Sequence, residues 1–105
     1  HPMPVIHLHG TSDGVLPYNG SSDWNSAQST LDHWINFNNT VLTPTVTIDN
    51  NIEHYVYDQG DSLVSVEHYK YIGGDHVWFS ATFQGQNTSE LVWNFVSRYD
   101  INGLR

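Results

Sequence analysis

Two residues in this 105-residue sequence have the type and placement to move a proton, Asp13 and His76. Asp13 follows Pro4-Val5-Ile6-His7-Leu8-His9-Gly10, an apolar run that stops at a glycine and opens into Thr11-Ser12-Asp13-Gly14. His76 comes 63 positions later, in Gly73-Gly74-Asp75-His76-Val77-Trp78, again just past an expected strand. In layered α/β proteins, chemistry collects where the carboxyl ends of strands meet their loops. If the two strands are parallel neighbours, both loops reach one edge of the sheet. An Asp and a His brought together there would be two members of an acyl-transfer triad. The carboxylate orients the imidazole and stabilises its cation, and the imidazole takes the proton of a nucleophile. Plainer readings stand beside this one. Asp in Ser-Asp-Gly is a common turn former, and a His after paired glycines need not react at all.

The nucleophile is harder to find. Gly10-Thr11-Ser12-Asp13-Gly14 matches Gly-x-Ser-x-Gly, but a nucleophile elbow needs a helix directly after the serine. Val15-Leu16-Pro17-Tyr18-Asn19-Gly20 follows instead and reads as loop. No other match and no oxyanion-hole motif occurs, so the nucleophile is expected upstream of these residues. The 105 residues alone are expected to be inactive. Tyr18, Trp78 and Trp24 are expected near the pocket mouth, where their rings could stack on an aromatic acyl group or a sugar. Packing of loops over the core is the alternative. His7 and His9 point to one side of their strand, a spacing that suits a metal. Hydrogen-bonded core histidines are the plainer reading. No cofactor or metal is expected.

Composition narrows the classes. Three basic and eleven acidic residues give a net charge of −8. That balance argues against phosphate-backbone binding and against an anionic membrane surface. No apolar run reaches the 18 or so residues a membrane span needs. Cysteine is absent, which removes disulfides and thiolate metal sites. Few lysines with many Asn, Thr, Trp and Tyr suggest secretion. The start at His1-Pro2-Met3-Pro4 suggests a piece of something larger.

Elements that could hold Asp13 and His76 in place follow from periodicity. Val5 to His9 reads as a strand with Ile6 and Leu8 on one face and Val5, His7 and His9 on the other. Ser26 to Asn38 reads as a helix, with Ala27, Leu31, Trp34 and Ile35 at helical spacing, Asn25 or Ser26 as cap and Asn38-Asn39 as its end. Thr45 to Ile48 alternates weakly. Ile52 to Tyr57 and Leu63 to Ile72 read as a hairpin turning at Asp58-Gln59-Gly60-Asp61. In the second strand neither face is cleanly apolar, so the buried face stays open. Asn87-Thr88-Ser89-Glu90 is close to a helix-capping box. The helix is expected to run to about Tyr99 and to bury Leu91, Val92, Phe95 and Val96.

His7-Leu8-His9-Gly10-Thr11-Ser12-Asp13-Gly14-Val15-Leu16-Pro17-Tyr18, with the later Gly73-Gly74-Asp75-His76-Val77-Trp78, resembles the C-terminal part of secreted polyhydroxybutyrate-depolymerase-like and feruloyl-esterase-like α/β-hydrolases. The last helix, with Glu90-Leu91-Val92-Trp93-Asn94-Phe95, is similar as well. The resemblance implies an α/β fold: the C-terminal segment of a three-layer α/β/α sandwich, a few strands with two covering helices. Residues 1–100 would be that segment and 101–105 the start of a linker. It implies Asp13 and His76 as catalytic residues, in the family's chain order of Ser, then Asp, then His. Trp78 and Tyr18 would meet substrate, a feruloyl or acetyl ester on polysaccharide or a short polyester. The partner would be the upstream part of the same hydrolase, with no nucleic acid and no membrane. Asp75 before the His and Phe79-Ser80 after Trp78 depart from the family's usual residues, which bears on the leaving-group side of the pocket. Two other readings remain: a carbohydrate-binding module, which would be all-β with exposed Trp and Tyr, and a metal-binding domain using His7, His9, Asp13 and His76.

Overall fold

The computed structural model describes residues 2–21, 26–75, 79–100 and 103–104. Its elements follow in the order β1 (Val5–Gly10), α1 (Ala27–Asn38), β2 (Thr45–Asp49), β3 (Ile52–Tyr57), β4 (Val66–Tyr71), α2 (Thr88–Val96), β5 (Tyr99–Asp100) and β6 (Gly103–Leu104). Four strands form one mixed sheet in the order β1-β4-β3-β2. β1 and β4 are parallel, from Val5 opposite Val66 to Gly10 opposite Tyr71. β3 runs antiparallel to both β4 and β2. Among the described residues, no helix is long and apolar enough to cross a membrane.

Local chemistry explains where the helices begin and end. At α1 the Ser26 hydroxyl accepts the Ser29 N–H at 3.0 Å, and Asn39 stops the helix in the left-handed conformation, φ 56°. Asn tolerates that region better than most side chains. At α2 the Asn87 side chain accepts the Glu90 N–H at 2.9 Å and Glu90 accepts the Asn87 N–H at 3.0 Å. Each contact satisfies a backbone donor that the first turn leaves without an intrahelical partner.

The helices cover opposite faces of the sheet. α1 lays Leu31 and Ile35 on Val66 and Tyr57, with Val5, Trp34 and Tyr55 at the margin. α2 brings Leu91 to Ile52, Tyr69, Tyr71 and Phe83, with Ile6 and Leu8 beside them. Phe95 joins Val64 and Tyr99. A fully buried aliphatic side chain of this kind contributes about 1.5–3 kcal/mol. The alternation read for β1 holds, since Val5 faces α1 while Ile6 and Leu8 face α2.

β4 is hydrogen-bonded on both edges and covered on both faces, and five of its six residues are buried. That is why neither face reads as the apolar one. Three expectations need correction. β4 begins at Val66 rather than Leu63, because Asp61–Leu63 form a single 3-10 turn in which Ser62 and Leu63 take positive φ of 53° and 60°. α2 ends at Val96 rather than Tyr99, and Val96 is exposed, since it lies off the Leu91–Phe95 stripe. Beyond α2 the chain folds back, with Tyr99–Asp100 paired to Gly103–Leu104.

Candidate functional site

The parallel pairing of β1 and β4 joins the loops that follow them. Thr11 N–H donates to the Tyr71 carbonyl at 3.0 Å, Ser12 N–H to the Gly74 carbonyl at 2.8 Å, and Gly73 N–H to the Thr11 hydroxyl at 2.7 Å. Gly14 N–H reaches the Asp75 carboxylate at 3.3 Å. Two glycines permit this approach. A Cβ on Gly10 would stand 2.2 Å from the Gly74 carbonyl oxygen, closer than any side chain allows, and Gly73 holds a φ of +77°. The loop of Asp13 is thus fixed against the residue that precedes His76 in the chain. His76 and Trp78, with Trp24, lie outside the described residues.

Asp13 is buried and does more than one thing. Its Oδ1 accepts the N–H groups of Val15 and Leu16, each at 2.8 Å, so it does form the turn its local sequence suggests. Its Oδ2 stands 3.4 Å from His9 Nε2. The turn holds the carboxylate in one orientation through its own backbone. Ser12 is exposed, and among the described residues from 13 to 21 no helix follows it. It lacks the strand-to-helix elbow that a nucleophile of this type uses.

Behind Asp13 lies a network of three imidazoles and a phenol. His9 Nε2 lies 2.6 Å from the Leu16 carbonyl, and a carbonyl can only accept, so this nitrogen carries the hydrogen. With the rings neutral, His9 Nδ1 is then an acceptor, and His7 Nε2, 3.2 Å away, donates to it. His68 Nδ1 donates to the His7 carbonyl at 2.8 Å, which leaves Nε2 to accept from the Tyr18 hydroxyl at 2.8 Å. Burial lowers His68 to about 4 and, with His9 nearby, also lowers His7. Burial and then the Glu53 carboxylate raise the Tyr18 phenol to about 12, so it stays a donor. The core-histidine reading of His7 and His9 therefore holds. Tyr18 turns its hydroxyl inward, packs edge-on to His9 at 5.2 Å and carries Lys70 Nζ 5.3 Å from its ring centre. His68 is buried at the centre of this network. Its role depends on Tyr18, 50 positions away, and nothing local signals it.

On the other face of β4, Glu67 is buried among an imidazole, a guanidinium and a hydroxyl. Its carboxylate takes His54 Nε2 at 2.8 Å, Arg98 Nη2 at 2.5 Å and the Ser65 hydroxyl at 3.1 Å. Burial raises its pKa, but the hydrogen bonds from His54 and Arg98 outweigh that and leave it below the ordinary carboxylate value. Among the described residues, no group of three or more His, Asp and Glu is placed to hold a metal ion. The two helices stand against an all-β binding module.

No protein-family model matches the sequence, and no solved structure matches it. A bifunctional acetylxylan esterase/xylanase of Neocallimastix patriciarum is 29% identical over 109 aligned residues. The alignment covers 97% of this chain and 14% of that protein, so the chain spans about a seventh of the length of this curated relative. The relation to an esterase/xylanase is distant.

Proposed function

We propose that this chain is the acid–base segment of a secreted serine esterase with an α/β-hydrolase sheet, acting on carboxylic esters carried by polysaccharide. Acetyl or feruloyl esters of a xylan are the first choice of substrate, and a short polyester is the alternative. The observation that carries the reading is the parallel β1–β4 pair, which fixes the loop of buried Asp13 against Asp75, the neighbour of His76. The distant esterase/xylanase relative supports the same chemistry.

In this reading Asp13 orients His76 and stabilises the imidazolium. His76 takes the proton of a serine hydroxyl supplied by another part of the protein as that oxygen attacks the ester carbonyl. It then gives the proton to the departing alcohol. Water, deprotonated by His76, releases the acid and restores the serine. The 105 residues alone are inactive, because nucleophile and oxyanion donors are missing from the set.

The reading is tested by labelling the intact native protein with a fluorophosphonate and mapping the adduct. One labelled serine outside these residues is expected. In His76→Ala the labelling should vanish, and in Asp13→Asn its rate should fall by roughly 10³–10⁴. A label on Ser12, or no label on folded protein, would overturn it.

A further inference from the structure

A cleft of about 350 Å³ opens between α2, β3, β4 and the segment before α2. One wall is aromatic and stiff. The His54 ring lies flat on Tyr69, 4.0 Å between centres and 6° from parallel, and Phe83 meets both edge-on. The lining also carries the side-chain amides of Gln84, Gln86 and Asn94. Among the described residues, no hydrogen bond within the protein engages these three amides. Each offers a donor and an acceptor.

The charges in the cleft are already matched. Glu67 is held by His54, Ser65 and Arg98, so its carboxylate calls for no cationic ligand. Arg98 is tied to Glu67 and packs over Phe95 at 5.0 Å, and the −8 chain does not attract anions. A neutral ligand with many hydroxyls fits this lining. Hydroxyls would meet the amides, and apolar C–H faces would meet the aromatic wall.

The position is also suited to a polymer. The cleft lies toward β3, whereas β1 forms the far edge of the sheet. Phe83 is seven residues beyond His76, so the two are at most about 25 Å apart. We infer that this cleft is a carbohydrate-binding subsite for one or two neutral sugar rings of the polysaccharide whose ester is cleaved beside Asp13. The choice of polysaccharide rests on the proposed function; the sugar chemistry rests on the cleft.

Isothermal titration of the intact protein with xylotetraose tests it, in the wild type and in Gln84→Ala/Asn94→Ala. Both residues are exposed, so the variant should fold. The wild type should bind at around millimolar concentration, and the variant at least tenfold more weakly. The variant should keep its fluorophosphonate labelling and its turnover of phenyl acetate, while its KM on polymeric ester rises. Equal binding by both proteins, or no binding by the wild type at several millimolar, would overturn the subsite. Loss of labelling in the wild type with sugar binding intact would overturn the esterase and leave the subsite standing.

Discussion

Glu67 and His68 are neighbours on β4, and they solve the burial of an ionisable group in opposite ways. Glu67 faces α2, keeps its charge and is surrounded by His54, Arg98 and Ser65. His68 faces the Tyr18 side, gives up its charge and is held by one carbonyl and one phenol. A buried charge needs partners of opposite sign, while a buried neutral ring needs only its two hydrogen bonds. The same strand can therefore carry both, because alternate side chains meet different surroundings.

His68→Leu sharpens this contrast most. It should leave the His7 carbonyl and the Tyr18 hydroxyl without partners and cost about 3 kcal/mol at pH 8, read by urea unfolding. The cost should depend on pH in a defined direction. Folding lowers His68 from 6.5 to about 4, so on acidification the unfolded chain takes up the proton first. Stability from this group is complete above 6.5 and drains away as pH falls toward 4, by on the order of 3 kcal/mol. His7 is lowered as well and adds to the same window. Wild type and His68→Leu should converge across that window. A difference that stays constant from pH 8 to pH 4 would break the account of His68 as a buried neutral ring.

Glu67→Gln is expected to cost less, about 2 kcal/mol at pH 7. Losing one member of a buried pair often costs more, but the Arg98 side chain is 46% exposed and can turn to water. The sign is that of a carboxylate held below its ordinary value. Its stability is present above the unfolded pKa and lost as pH falls through the folded one. The deficit of Glu67→Gln should persist through the histidine window and vanish only in more acidic solution. If both variants converge with wild type over one pH range, the two faces are not independent.

The two sides of β4 also show what a sequence reveals. Both helices and their caps were legible, because Ser26, Asn39, Asn87 and Glu90 act on backbone within four residues. Parallel neighbours for the strands before Asp13 and His76 were the condition on which the two loops would meet, and they are present as β1 and β4. The buried identity of Glu67 and His68 was hidden. Their partners Arg98 and Tyr18 lie 31 and 50 positions away, and a strand covered on both faces has no polar side to reveal it. Leu63 was misplaced in a strand because its positive φ is set by the turn around Gly60, not by its own preference. Val96 was expected in the core together with Phe95, yet one residue turns it about 100° around the helix, and it is exposed.

Tyr71, also on β4, gives the smallest effect and the clearest limit to the comparison. It is buried beneath α2 and stacks on Phe79 at 3.8 Å, 6° from parallel. Its hydroxyl has neither remedy. Among the described residues it makes no hydrogen bond of ordinary geometry; Thr88 stands beside it and partly offsets the rise that burial gives the phenol, while donating its own hydroxyl to the Phe79 carbonyl at 2.7 Å. An unpaired buried hydroxyl costs free energy that a hydrogen atom in its place would not. Tyr71→Phe should therefore be neutral or up to about 1 kcal/mol stabilising, with no change in the acid titration, because the stacking and the volume remain. A loss of more than about 1 kcal/mol on urea unfolding would mean that this hydroxyl does have a partner, and that β4 leaves no buried polar group unsatisfied.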